Sequence, residues 1–286
     1  VKQVNRRLLL ILIALALAGV GGVYALHKFQ QSRNAGSLVI LARLRVKEER
    51  KDEALELFAR YLNFRPNDDQ VHAEFARLLL EKTKNSENPR SLIQPTYKAL
   101  EEAVRKNPED SELRQELAEF LLQMGRFGDA RQHLELLRSR SGVASQPAVA
   151  QKTDAKNPAG PPQPDPTVVA VMLTRSLAGY GNFDEAAAVA GELIGFDLKT
   201  REFRPQRAVL SETTQAYIIL AAILDEKFRD TEAARRVFEQ LVKDNPKDPQ
   251  AWLALARWQR KMGDLRAAEA AAFQANELAP NNAEVI

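Results

Sequence analysis

The chain has 286 residues, enough for two domains, with 41 Lys and Arg against 38 Asp and Glu. The formal net charge of +3 is too small a basic bias to argue nucleic-acid binding. Cysteine is absent, which excludes a disulfide framework, a thiolate metal site and a cysteine nucleophile.

The first feature in chain order is an apolar run from Leu8 to Leu26 without a charge. At about 1.5 Å per residue it spans roughly 28 Å, close to a hydrocarbon core of about 30 Å. Lys2, Arg6 and Arg7 precede the run and Tyr24 sits near its far end, where an interfacial aromatic belongs. The reading is a transmembrane anchor (8–26) behind a short basic cytoplasmic tail (1–7), with the rest of the chain outside. Lys28 and Arg33 on the far side count against that orientation. A signal peptide cleaved at Ala16-Leu17-Ala18 is the rival, and the eight apolar residues that continue past Ala18 favour the anchor. Ala14, Ala18 and Gly22 form a small-residue stripe through which two anchors can pair, giving a homo-oligomer.

Beyond the anchor the same grammar recurs, and the fold class it predicts is all-α. The first block runs from about Gly36 to Asn67, with Leu41-Ala42, Ala54, Phe58 and a closing Pro66. The second starts near Asp69, carries Phe75-Ala76 and Ala103, and closes at Pro108; an enlarged polar turn from Lys82 to Ser91 divides it. The third, from Ser111, has Leu117-Ala118, Gly125, Phe127, Ala130 and Leu134. An Ala/Pro-rich segment at 141–164 without helical periodicity follows and reads as a disordered linker. The fourth block opens at Asp165-Pro166 and shows Leu173, Gly181, Phe183 and Ala186. Gly195 to Ser211 is irregular and predicts no particular shape. The fifth block has Tyr217, Leu220-Ala221, Ala234, Phe238 and Pro246; the sixth has Trp252, Leu255-Ala256, Gly263, Ala268, Ala275 and Pro280.

Each recurring residue has a mechanical reason. Alanine beside leucine lets a partner helix approach, while Phe or Leu on the second helix fills the groove between them. Gly125, Gly181 and Gly263 fall in tight turns that need positive φ. Pro66, Pro108, Pro246 and Pro280 end second helices, because a proline pushes the preceding residue out of the α region. Asp110, Asp165 and Asp248 are placed as N-caps, the latter two before a proline at the first helical position.

The spacing of Trp252, Leu255-Ala256, Gly263, Ala268, Ala275 and Pro280, echoed upstream, resembles the tetratricopeptide repeat, a helix–turn–helix array motif. The resemblance covers about four-fifths of the chain. It implies a solenoid of six repeats in two groups, 36–140 and 165–286, with the array expected to continue past 286. It also implies a non-catalytic scaffold that holds partner proteins or peptides in a concave groove lined by the first helices. Combined with the anchor, that places the scaffold at the outer face of a bacterial cytoplasmic membrane. The alternative is the recruitment region of a larger envelope enzyme or a secretion or polysaccharide-export component.

No enzyme signature emerges, and neither a cofactor nor a metal site is expected. His27, His72 and His133 lack a metal-ligand spacing, and the Gly19, Gly21, Gly22 cluster lies in the apolar run. One constellation points to a ligand. Arg43, Arg77, Arg175 and Arg257 each follow the packed pair of a first helix, where the resemblance makes the side chain look into the groove. Arg260 and Lys261 lie one turn beyond Arg257. Guanidinium groups so placed suit an acidic peptide through bidentate hydrogen bonds. Glu119 and Ala222 interrupt the series.

Overall fold

The computed structural model describes residues 35–140, 163–207, 209–210 and 212–280, together with the isolated Gly19. The anchor at 8–26, apart from Gly19, and the linker up to residue 162 lie outside the described residues. Among the described residues no helix is long and apolar enough to cross a membrane. Those residues form twelve helices, paired into six hairpins, and one short two-stranded ribbon. They fall into two compact units that meet between Glu109 and Asp110.

The first unit holds α1 (residues 35–47), α2 (Lys51–Phe64), α3 (Asp69–Lys84) and α4 (Arg90–Lys106). Its core joins Val39 and Ala42 of α1 to Ala54, Leu55, Phe58 and Tyr61 of α2 and to Val71, Leu78 and Leu79 of α3. The Tyr61 hydroxyl donates to Asp68, whose carboxylate also caps α3 by accepting from the Val71 N–H. The large polar turn anticipated between Lys82 and Ser91 shrinks to residues 85–89, because α3 runs on to Lys84. Thr83 extends the helix: its hydroxyl donates to the Leu79 carbonyl and meets Thr96 Oγ1 of α4 at 2.7 Å, both side chains being buried. Pro95 sits inside α4, where it forgoes one backbone hydrogen bond.

The second unit stacks four hairpins in sequence. They are α5 (Ser111–Gln123) with α6 (Phe127–Arg140), α7 (Pro166–Tyr180) with α8 (Phe183–Ile194), α9 (Thr214–Glu226) with α10 (Thr231–Asp244), and α11 (Pro249–Met262) with α12 (Leu265–Leu278). Every helix packs on the next in sequence, and the first helices α5, α7, α9 and α11 also touch in order. The anticipated punctuation is in place. Gly125, Gly181 and Gly263 adopt φ of 71°, 96° and 86° after their first helices. Asp110, Asp165 and Asp248 accept from N–H groups of the first turns of α5, α7 and α11.

The grouping of hairpins differs from the sequence expectation. The third hairpin, assigned with the first two, instead joins the fourth across the Pro/Ala-rich linker. Ser176 of α7 donates to the Phe127 carbonyl of α6 at 2.7 Å. The Phe127 ring occupies the space beside Gly179, where a Cβ would stand 2.6 Å from it. Arg131 and Arg138 of α6 pair with Glu185 and Glu192 of α8 at 3.1 and 3.2 Å. Linker composition reports where a segment lacks core-forming side chains; it does not report whether the helices on either side have complementary faces.

The irregular stretch after α8 also acquires a shape. Phe196–Asp197 (β1) and Glu202–Phe203 (β2) pair antiparallel, with Phe196 opposite Phe203. Asp197 accepts from the Lys199 and Thr200 N–H groups, which tightens the turn and holds its carboxyl below the ordinary range.

A candidate peptide-binding face on the first helices

The six cations singled out in the sequence fall into three situations. Arg43 donates from Nε and Nη2 to both carboxylate oxygens of Glu74 on α3, at 2.9 and 2.8 Å. That hydrogen-bonded pair, opposed in part by desolvation, raises the guanidinium pKa above its usual value. Arg77 lies one turn beyond Glu74 on α3 and is half-buried. Lys261 at the end of α11 donates to Asp225 and Glu226 at the end of α9, both at 2.9 Å. Arg43 and Lys261 are therefore stitches between neighbouring first helices. Both cations already donate to carboxylates of this chain, so a ligand carboxylate competes with Glu74, Asp225 and Glu226 for them. The single-sequence view missed this because the partner carboxylates lie 31 to 36 residues away in the chain.

Arg175 on α7 and Arg257 and Arg260 on α11 are exposed, and their side chains make no hydrogen bond or ion pair among the described residues. Between α7 and α11 lies α9, whose equivalent position is the exposed Ala222. Residues three, four and seven positions before each of these share its helix face. On α7 they are Met172, Val171 and Val168; on α9 they are Ile219, Ile218 and Gln215; on α11 they are Ala254, Leu253 and Gln250. Val168, Val171, Met172, Ile218, Ile219 and Ala254 are each part-exposed, although most are strongly apolar. The face common to α7 and α9 is thus an apolar strip with Arg175 on one side and Arg257 on the other.

That strip was not among the sequence candidates. Its signal is present, because α7 and α9 remain apolar after the positions that face the hairpin partner are removed. A helix apolar on every side ordinarily has two packed faces. In α7 one face holds Val169, Leu173 and Leu177, all buried, while the strip is left half open.

The ribbon beside α9 braces this face. Arg207 Nη2 pairs with the Asp244 carboxylate of α10 at 2.6 Å, and Nη1 donates to the Tyr217 hydroxyl of α9 at 3.0 Å. Tyr217 in turn donates to Asp244, which also accepts from Gln240 at 2.9 Å. The Arg207 guanidinium lies 4.9 Å from the Phe203 ring centre, and Phe196 stands edge-on to Phe203. Burial, reinforced by the hydrogen bond to Asp244, pushes the Tyr217 phenol well above its normal range. Gly195 permits the arrangement, having φ of 73° and Arg207 Cβ 2.7 Å from where a Cβ would stand.

The two histidines among the described residues have structural partners. His72 Nε2 lies 2.9 Å from the Pro66 carbonyl, and His133 Nδ1 lies 3.3 Å from Arg114.

Comparisons with known proteins agree with this geometry. The profile of the tetratricopeptide repeat matches residues 96–146 and, in a second variant, residues 214–258. No curated protein sequence matches the chain. Among solved structures it is similar to PilW, a widely conserved type IV pilus biogenesis factor, at 13% identity and a TM-score of 0.50; 88% of this chain and 96% of that one are covered. It is also similar to PilF of Pseudomonas aeruginosa at 14% identity and a TM-score of 0.47, covering 89% and 96%. TTC0263, a tetratricopeptide protein of Thermus thermophilus, gives 16% identity and a TM-score of 0.48, covering 76% and 94%. At 13% identity the likeness to PilW speaks for the fold alone. The profile matches and the stacked hairpins together establish that this chain carries tetratricopeptide repeats.

Proposed function

We propose that the chain is a membrane-tethered, non-catalytic scaffold that captures a segment of a partner protein on the first-helix face of α7, α9 and α11. The observation that carries the reading is the half-open strip of Val168, Val171, Met172, Ile218 and Ile219 between the two uncompensated arginines, Arg175 and Arg257. A segment that fits it presents an apolar ridge, with a carboxylate beside the ridge to meet a guanidinium. This refines the acidic-groove expectation: apolar contact supplies affinity, and the arginines supply register. The tether is the apolar run at 8–26, and the basic residues before it favour the repeats lying on the outer side of a bacterial cytoplasmic membrane.

The test is capture from detergent-solubilised membranes with the 286-residue chain as bait, followed by the same capture with Val171→Asp and Ile218→Asp. Loss of the captured protein with both variants, and a weaker loss with Arg175→Glu, is the expected outcome. Equal capture by Val171→Asp, Ile218→Asp and the parent chain places binding elsewhere. Protease digestion of intact spheroplasts tests the tether, since repeats that stay protected refute the outer-side placement.

A further inference from the structure

We propose that the segment captured on the first-helix face docks in one direction, its acidic end over α11 and its basic end over α5. The inference rests on the groove reading above and adds a polarity to it. The first helices α5, α7, α9 and α11 touch in that order within the second unit, so equivalent positions form rows across them. The row of Arg175, Ala222 and Arg257 continues on α5 as Glu119, which is half-buried. One turn earlier, where α7, α9 and α11 carry Met172, Ile219 and Ala254, α5 carries the half-buried Glu116. Two turns earlier, on the same side of α5, stands the exposed Glu112.

The far end of the face has the opposite sign. Arg257 and, one turn beyond it, Arg260 are exposed on α11, whereas α5 has the buried Leu122 at the position of Arg260. Carboxylates thus gather at one end and open guanidinium groups at the other, with the apolar strip between them. Arg175 lies inside the strip as a single cation next to the carboxylates of α5. A segment docked in reverse brings its acids to Glu112, Glu116 and Glu119 and its bases to Arg257 and Arg260. At about 8–10 Å between neighbouring helices, α5 and α11 are roughly 24–30 Å apart. That exceeds the Debye length of about 8 Å in physiological salt, so each end reads its own charge. The carboxylates need not be free of other donors. Glu119 already accepts from Gln123 at 3.2 Å, and an ionised carboxylate has acceptor sites for more.

An extended segment rising about 3.3 Å per residue needs roughly seven to nine residues to reach from α5 to α11, which sets the probe. Fluorescent peptides of that length carry lysines, then alternating Val and Leu, then aspartates, and are made in both chain directions. Binding to the 286-residue chain in a mild detergent is read by anisotropy. The tighter peptide should lose about threefold in affinity for each charge pair removed, hence roughly tenfold when its aspartates become asparagines. The paired variant Arg257→Gln with Arg260→Gln should bind the aspartate and asparagine peptides equally. Glu116→Gln with Glu119→Gln should likewise erase the effect of changing the lysines to glutamines. The proposal is overturned if either sensitivity survives the substitutions at its own end, if the two paired variants exchange their effects, or if neither peptide binds. The groove reading fails by a different outcome, in which Val171→Asp and Ile218→Asp leave peptide binding unchanged. Loss of binding with those two variants, but no effect of either charge substitution, keeps the groove and removes its polarity.

Discussion

Replacing Arg207 with methionine probes whether the ribbon after α8 is a built part of the repeat face or a loose decoration. The Arg207 side chain is 12% exposed and Asp244 is 6% exposed, so their ion pair is largely withdrawn from water. Removing one member of such a pair leaves an uncompensated buried charge and costs about 3–5 kcal/mol. Asp244 keeps Tyr217 and Gln240 as donors, which moves the cost to the lower end, about 3 kcal/mol. Loss of the guanidinium from the Phe203 ring adds about 0.5–1 kcal/mol. With tenfold for each 1.4 kcal/mol, the local opening constant rises by roughly two and a half to three orders of magnitude. Hydrogen exchange read on peptides covering 195–226 reports this opening directly, while peptides from α2 and α3 serve as the unperturbed control. The triple variant Arg207→Met, Asp244→Leu and Tyr217→Phe should recover most of the protection, since apolar groups of similar size replace the buried pair and no orphaned hydroxyl is left behind. A change under about 1 kcal/mol in the single variant, or a triple variant no better protected, refutes the reasoning.

Gly179→Ala raises helix propensity by about 1 kcal/mol at an exposed site, yet here it should lower the melting temperature. The new methyl meets the Phe127 ring at 2.6 Å, and overpacking of this kind costs about 1–3 kcal/mol. Adding Phe127→Ala should make Gly179→Ala stabilising again; a stable single variant would show that α6 and α7 are not in tight register. Acid should loosen the α9–α11 contact. Burial pushes the Asp225 carboxyl up, but the hydrogen bonds from Lys261 and Thr231 outweigh it and leave it below the ordinary 3.8. The contribution is therefore present above about pH 3.8 and is lost as pH falls through the lower folded value. Lys261 is half exposed, so the pair itself contributes about 1 kcal/mol or less. Between neutral pH and pH 3, Asp225→Asn should flatten this part of the urea midpoint's pH dependence; an unchanged slope means the carboxylate is not paired in solution.

Most of the fold could be read from residue types at fixed spacing. Ala42, Ala54, Ala76, Ala118, Ala130, Ala186, Ala221, Ala234 and Ala275 were placed at helix–helix contacts, and all are buried. Glycine at positive φ, aspartate at N-caps and proline after second helices are local requirements, so a single chain segment displays them in full. The candidate site was legible only in part. Arg175, Arg257 and Arg260 are open cations among the described residues, whereas Arg43 and Lys261 are paired with carboxylates about one repeat away. The ribbon at 196–203 escaped notice because two-residue strands carry no periodicity to detect.

Local chemistry by itself determined the helices, their caps, their pairing and the tetratricopeptide character, because each depends on neighbours within one turn or one hairpin. Only the tertiary structure decided which hairpins form one unit, since the α6–α7 contact is made by side chains more than 40 residues apart across a segment that signals a break. It also decided which charges remain available to a partner and which apolar faces stay uncovered. Availability is a property of what stands opposite a residue, and the side chain opposite is set by stacking distant in sequence.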